Sequence, residues 1–247
     1  MSEVGNQNSR GMCGGSIIDE KNILTAAHCL RTGPLVDSVL VYAGDHNREK
    51  SDGESEYEVC GWTWHPKFAG TEKPDEGAGP DIAILHLCEP LTFRKGKFDI
   101  LLMYSWLCFH SPGVEAISLP DPTQNYDNVE AVVTGWGLTK RDPNATISDT
   151  PDILQKVRVR TMSNEQCEMK IKLLDHGFKI KDYMICSFAP QKGFCHGDSG
   201  GPLVVRDQYG KYSLIGIVSF NRECSNEPDV YTRVSLFNEW IEKNKCP

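Results

Sequence analysis

Ser199 lies in Gly197-Asp198-Ser199-Gly200-Gly201-Pro202, where three glycines and a proline bend the main chain around one small nucleophile. A serine hydroxyl is a poor nucleophile at neutral pH and needs a base to take its proton. The chain offers one in Thr25-Ala26-Ala27-His28-Cys29, and a carboxylate to orient that base in Asp81-Ile82-Ala83-Ile84-Leu85. These three residue types together can perform acyl transfer. Ser199 attacks a carbonyl, His28 accepts the serine proton and returns it to the leaving group, and Asp81 fixes the imidazole tautomer. The main-chain N–H groups of Gly197 and Ser199 would face the developing oxyanion, where loss of one donor costs about 10²–10³ in rate. Taken singly, each residue reads as an ordinary turn or strand-end residue. The His–Asp–Ser order with these neighbours gives the set its weight.

Positioning such a set requires a rigid frame, and the sequence points to strands. Short apolar or alternating runs occur at 36–43, 82–87, 130–134, 154–161, 202–205, 212–219 and 230–234, separated by clusters of Gly, Pro, Asn and Asp. That is the pattern of an all-β barrel or sandwich. Two helices are expected: one over 164–174 capped by Ser163, and one closing the chain over 235–245, with Phe237, Trp240 and Ile241 on its apolar face. The stretches 45–55 and 71–80 read as polar loops, and 120–128 reads as a linker between two halves, 1–119 and 120–247.

The 247 residues can bury a substantial core, as one large domain or two small ones. A net charge of -8 argues against a nucleic-acid or anionic-membrane binder, and no apolar run approaches the ~20 residues needed to cross a bilayer. Ten cysteines, scattered singly, suit disulfides of an oxidising compartment better than zinc ligation. Asn144-Ala145-Thr146 is a glycosylation acceptor triplet. The pairs His28-Cys29 and Cys195-His196 are weak metal signals beside a full triad, so no metal or cofactor is expected. A secreted protein is expected, although the polar start of the chain carries no export signal.

The chain resembles the trypsin-like serine proteases over about residues 13–240. The markers, in order, are Cys13-Gly14-Gly15-Ser16, Leu24-Thr25-Ala26-Ala27-His28-Cys29, Asp81-Ile82-Ala83, Gly135-Trp136-Gly137, the Ser199 motif and Val230-Tyr231-Thr232-Arg233-Val234. The resemblance implies two antiparallel β-barrels with the active site between them, His28 and Asp81 from the first barrel and Ser199 from the second, and a C-terminal helix. It implies an endopeptidase acting on proteins or peptides, with protein protease inhibitors as further partners. The alternative is a catalytically silent homologue serving as a binding or regulatory module. Ser219 falls where the family has a serine supporting the triad carboxylate. The implied disulfides are Cys13–Cys29, Cys167–Cys186 and Cys195–Cys224, while Ala131 and Val205 stand where the family has another bridge. Cys60 and Cys88 flank strands that would be neighbours in the first barrel, which suggests a fourth. Cys108 and Cys246 are left unassigned.

By the same resemblance, the substrate pocket is formed by Gly193, Phe194, Ser219, Phe220, Asn221 and Asp229. Gly193 occupies the pocket base, where trypsin-type enzymes carry an aspartate, and the acid appears instead at Asp229 on the opposite wall. A carboxylate there favours Lys or Arg by charge pairing. Phe194 and Asn221 replace small residues and narrow the pocket, so a mixed preference is a close rival. Two further features depart from the family. Asp198 is expected to pair with the ammonium of a cleaved N-terminus, yet no Ile-Val-Gly-Gly-type sequence is present. The residues before Cys13 do not read as a strand, so the first barrel is expected to lack its opening strand and expose an edge. Residues 97–113 (KFDILLMYSWLCFHSPG) have no family counterpart and read either as a loop with an apolar tip or as a translated intron.

Overall fold

The computed structural model describes residues 2–6, 9–30, 38–51, 53–70, 79–93, 113–140, 142, 144–173, 179–221, 224 and 227–247. The first half is an antiparallel sheet of seven strands: β1 (Ser2–Asn6), β2 (Ser9–Cys13), β3 (Ser16–Ile17), β4 (Asn22–Thr25), β5 (Ser38–Ala43), β6 (Ser55–Trp64) and β7 (Ala83–Leu87). Their spatial order is β2-β1-β5-β6-β7-β4-β3. The second half closes into a barrel of β8 (Glu130–Gly135), β9 (Gln155–Met162), β10 (Met184–Phe188), β11 (Pro202–Arg206), β12 (Tyr212–Phe220) and β13 (Asp229–Arg233). The helices are α1 (Asn164–Leu173) and α2 (Asn238–Asn244). The expected all-β class with a C-terminal helix is therefore what the chain forms.

The elements follow the side-chain pattern. β4 and the apolar part of β7 are buried on both faces and read as continuous apolar runs. β5 alternates, with Val39, Val41 and Ala43 inward. β6 lies outside the expected strands: Glu56 and Glu58 alternate with Tyr57 and Val59 over only a few residues before the register shifts between Val59 and Gly61. That shift breaks the two-residue period on which a strand is recognised. Ser163 caps α1 reciprocally: Gln166 N–H donates to Ser163 Oγ and Ser163 N–H to Gln166 Oε1, each at 3.3 Å.

The expectation that the first residues form no strand is overturned. β1 pairs with β2 from Ser2↔Cys13 to Asn6↔Ser9, and its other edge pairs with β5. Strand pairing is made by main-chain groups that every residue but proline supplies, so a polar segment at a sheet margin can join the sheet without an apolar pattern. The stretch 97–112, with Cys108, lies outside the described residues, as does 71–78.

One core cluster spans both halves. Ile18, Leu24, Ile82 and Ile84 of the first pack with Leu214, Ile217, Phe237 and Ile241 of the second. Four disulfides reinforce the frame: Cys13–Cys29, Cys60–Cys88, Cys167–Cys186 and Cys195–Cys224. The Cys246 thiol is free, while its main chain is clasped by buried Asn22: Cys246 N–H donates to Asn22 Oδ1 at 3.0 Å and Asn22 Nδ2 donates to Cys246 O at 3.2 Å.

Candidate active site

His28 and Asp81 leave the first sheet at adjacent points. β4 ends at Thr25, and the 3-10 turn Ala27–Leu30 that follows carries His28. Asp81 stands two residues before β7, which pairs with β4 from Asn22↔His86 to Thr25↔Ala83. This register sets the imidazole against the carboxylate. His28 Nδ1 lies 2.7 Å from Asp81 Oδ2, and the His28 main-chain N–H donates to Asp81 Oδ1 at 2.9 Å. Ser219 Oγ, on β12, donates to Asp81 Oδ2 at 2.6 Å, and Thr232 Oγ1, on β13, donates to the Asp81 carbonyl at 2.7 Å. Two strands of the barrel thus clamp a residue of the first half.

Those contacts decide the charges. Burial works against an ionised Asp81, but the facing His28, its hydrogen bond and the Ser219 hydroxyl outweigh it and hold the carboxyl below its usual range. Burial likewise works against a charged His28, and the Asp81 carboxylate outweighs it, raising the imidazole above the ordinary histidine value. Nδ1 faces the carboxylate, leaving Nε2 as the nitrogen able to take a proton from a reacting group.

Ser199 is delivered from the turn before β11. Gly197 (φ 99°) and Gly200 (φ 77°) both lie in the left-handed region, which a side chain disfavours. A Cβ on Gly200 would come 2.2 Å from Thr25 Oγ1 and 3.1 Å from Ala26 N, so the turn presses against the segment that leads into His28. Gly14 N–H donates to the Ser199 carbonyl at 2.6 Å. Among the described residues no hydrogen bond joins Ser199 Oγ to His28 Nε2, a contact that commonly tightens only when substrate binds.

Asp198 turns inward. Its carboxyl accepts Gly137 N–H (2.8 Å) and Cys195 N–H (3.0 Å), and burial pushes it above the usual carboxylate range despite these donors. It borders a cavity of about 200 Å³ that also touches Gly137, Gln155, Lys192, Gly193 and Phe194.

Beyond the turn, Asp229 is almost fully buried, and burial raises its carboxyl to about 7 against the opposing hydrogen bonds. Asn221 Nδ2 donates both to Asp229 Oδ1 (2.9 Å) and to the Phe194 carbonyl (2.8 Å), bridging two walls. Tyr231 Oη approaches Asp229 Oδ2 at 3.4 Å, and the phenol is pushed far up by burial. Sequence reasoning took the segment near Tyr231 as part of the pocket but gave neither Tyr231 nor Thr232 a role of its own. Both stand in the Val230-Tyr231-Thr232-Arg233-Val234 marker, which carried the only available signal.

The metal alternative meets a covalent obstacle. Ligand atoms of Cys13, His28 and Cys29 cluster within 4.8 Å, but both sulfurs belong to one disulfide, and Cys195 is bonded to Cys224.

Sequence comparison agrees with this geometry. The family model for trypsin matches residues 2–241. The chain is 30% identical to the clotting factor G beta subunit of Tachypleus tridentatus over 251 aligned residues, covering 95% of this chain and 71% of that protein. It is 31% identical to trypsin epsilon of Drosophila erecta over 233 residues, covering 94% and 77%. A 30% match to transmembrane protease serine 11C of Mus musculus covers 95% of this chain and 48% of that protein. Its sheet-and-barrel frame and the match along almost its whole length place this chain in the trypsin family of serine proteases.

Proposed function

We propose that the protein is a secreted serine endopeptidase that cleaves peptide bonds through an acyl-enzyme at Ser199. The observation that carries this reading is the 2.7 Å contact between His28 Nδ1 and the buried Asp81 carboxylate. It leaves Nε2 as general base, with an imidazolium stabilised as it forms. Ser199 Oγ attacks the carbonyl carbon as His28 takes its proton. The N–H groups of Gly197 and Ser199 receive the oxyanion, and the imidazolium protonates the departing amine. Water, deprotonated by His28, then releases the acyl group. A nitrophenyl ester tests the reading: one equivalent of nitrophenol per protein should appear in a burst that Ser199→Ala abolishes. A folded protein giving no burst overturns it.

For the residue before the scissile bond, the reading is a preference for Lys or Arg, carried by Asp229 in a pocket formed with Gly193, Phe194, Ser219, Phe220 and Asn221. The Asn221 bridge narrows that pocket and favours the less bulky of the basic side chains, so lysyl substrates should be cleaved faster than arginyl ones. A faster arginyl substrate contradicts this.

One observation favours a second reading, a silent homologue that binds without cleaving. Asp198 is a buried carboxyl that accepts hydrogen bonds from two main-chain N–H groups. In the proposed enzyme the ammonium of a processed N-terminus enters the 200 Å³ cavity and pairs with it. A protein that binds a substrate-like inhibitor reversibly but gives no burst supports the silent reading.

Four disulfides and the exposed Asn144 support an extracellular setting with a glycan on Asn144. No helix among the described residues is long and apolar enough to cross a membrane. Recovery of the protein from the medium, with a mass loss at Asn144 on enzymatic deglycosylation, tests both points. An unmodified Asn144 in secreted protein removes the glycan.

A further inference from the structure

Arg48 joins the two halves beside the oxyanion turn. Its main-chain N–H donates to Asp152 O (3.0 Å) and Leu154 N–H donates to His46 O (2.9 Å), around an antiparallel bridge between Asn47 and Ile153. Only 18% of the Arg48 side chain is exposed, and Asp152 Oδ1 stands 3.7 Å from its guanidinium. Nη2 donates to Thr150 Oγ1 (2.8 Å), Pro151 O (3.0 Å) and Thr150 O (3.1 Å). Nη1 is thereby aimed at Met12 Sδ, 3.2 Å away.

Met12 in turn touches the turn that carries Ser199. A Cβ on Gly197 would lie 2.8 Å from the Met12 methyl and 3.1 Å from Gly137 Cα, so both groups pack against the face of Gly197 where a side chain would stand. Met12 also borders a cavity of about 210 Å³ shared with Gly197, Asp198, Trp136 and Leu154. Methionine has three rotatable bonds and readily fills irregular space, so packing on one side does not fix it next to a cavity. The guanidinium, pinned by three oxygens, does.

We infer that Arg48 is a positioning residue for the Gly197 N–H, acting through Met12. The inference rests on the endopeptidase reading, because the orientation of that donor matters only where an oxyanion forms. An oxyanion donor must be aimed at the place where charge develops, so a loosened Gly197 slows acylation while leaving ground-state binding almost unchanged.

The test is a double-mutant cycle on the full chain, read as kcat and KM of an amide substrate and as the rate of the nitrophenyl ester burst. Arg48→Ala and Met12→Ala should each lower kcat about 10-fold with KM within about twofold, and the double variant should also fall about 10-fold. Arg48→Lys, whose single ammonium can still meet the thioether, should recover most of the rate. Independent effects multiplying to about 100-fold, or a loss confined to KM, overturn the inference while leaving the endopeptidase reading intact. If Arg48→Ala does not fold, Arg48→Gln, which fills similar space but loses the guanidinium fork, forms the same cycle with Met12→Ala. A wild-type protein with no burst removes the endopeptidase reading, and this inference with it.

Discussion

The Asp229 carboxylate fills the space that a side chain on Gly193 would need: a Cβ there would lie 2.5 Å from Asp229 Oδ2. The acid and the glycine are therefore one feature; in the proposed pocket the charge would enter from a wall, with the bare glycine giving it room. Burial holds this acid at about 7, so its charge changes within the working range of a protease. Below that value the proposed pocket would be neutral; above it, it would attract a P1 ammonium. The ratio of kcat/KM for a lysyl over a leucyl substrate should rise about 10-fold between pH 6 and 8, and Asp229→Asn should flatten it. Taking the ratio cancels the titration of His28, which acts on both substrates. A ratio independent of pH in the wild type contradicts the assignment.

The same acid makes a stability prediction. Its folded value, about 7, lies above that of an unfolded aspartate, about 4, so between these limits the native state holds more protons than the unfolded chain. Stability therefore falls as pH rises through this window, by up to about 1.4 kcal/mol per pH unit from this group alone. Asp198, also raised by burial, acts in the same direction, so the comparison must be made between variants. Asp229→Asn should gain stability relative to wild type from pH 5 to 8 in urea unfolding, and a constant difference contradicts the raised value.

His28 provides the acid limb. Because Asp81 raises it above the ordinary histidine value, kcat/KM should already be falling by the time the pH is lowered to 6.5, as the base becomes protonated. Asp81→Asn leaves burial as the main influence, so the limb should move to lower pH while the rate drops about 10⁴-fold. A limb that stays in place shows that something other than Asp81 sets it.

The Cys60–Cys88 bridge closes a segment with a sequence separation of 28 between β6 and the end of β7. A chain-entropy account gives it about 3–4 kcal/mol, so Cys60→Ser with Cys88→Ser should lower the urea midpoint without changing the acylation rate. A fall in that rate would show that the bridge also shapes the site.

The residues that carry chemistry were legible because glycines, a proline and apolar runs frame them in the sequence. The residues that tune the site were not. Arg48 sits in a polar loop and acquires its role only when Thr150, about a hundred positions away, folds over it. Asn221 was expected to crowd the pocket, and in the structure it bridges Phe194 and Asp229, which depends on the loop that follows β10 and on where β13 begins. The β1–β2 hairpin was invisible for a different reason: strand pairing uses the main chain, and a polar sequence leaves no trace of it.

The most direct test of the proposed activity is covalent labelling by a peptidyl phosphonate with a lysine-like P1 group, read by mass spectrometry of the digested protein. The predicted result is one adduct per chain, on the peptide containing Ser199, abolished by His28→Ala and slowed as pH falls below 7. A folded, disulfide-closed protein that takes no label, or is labelled as fast without His28, contradicts the account.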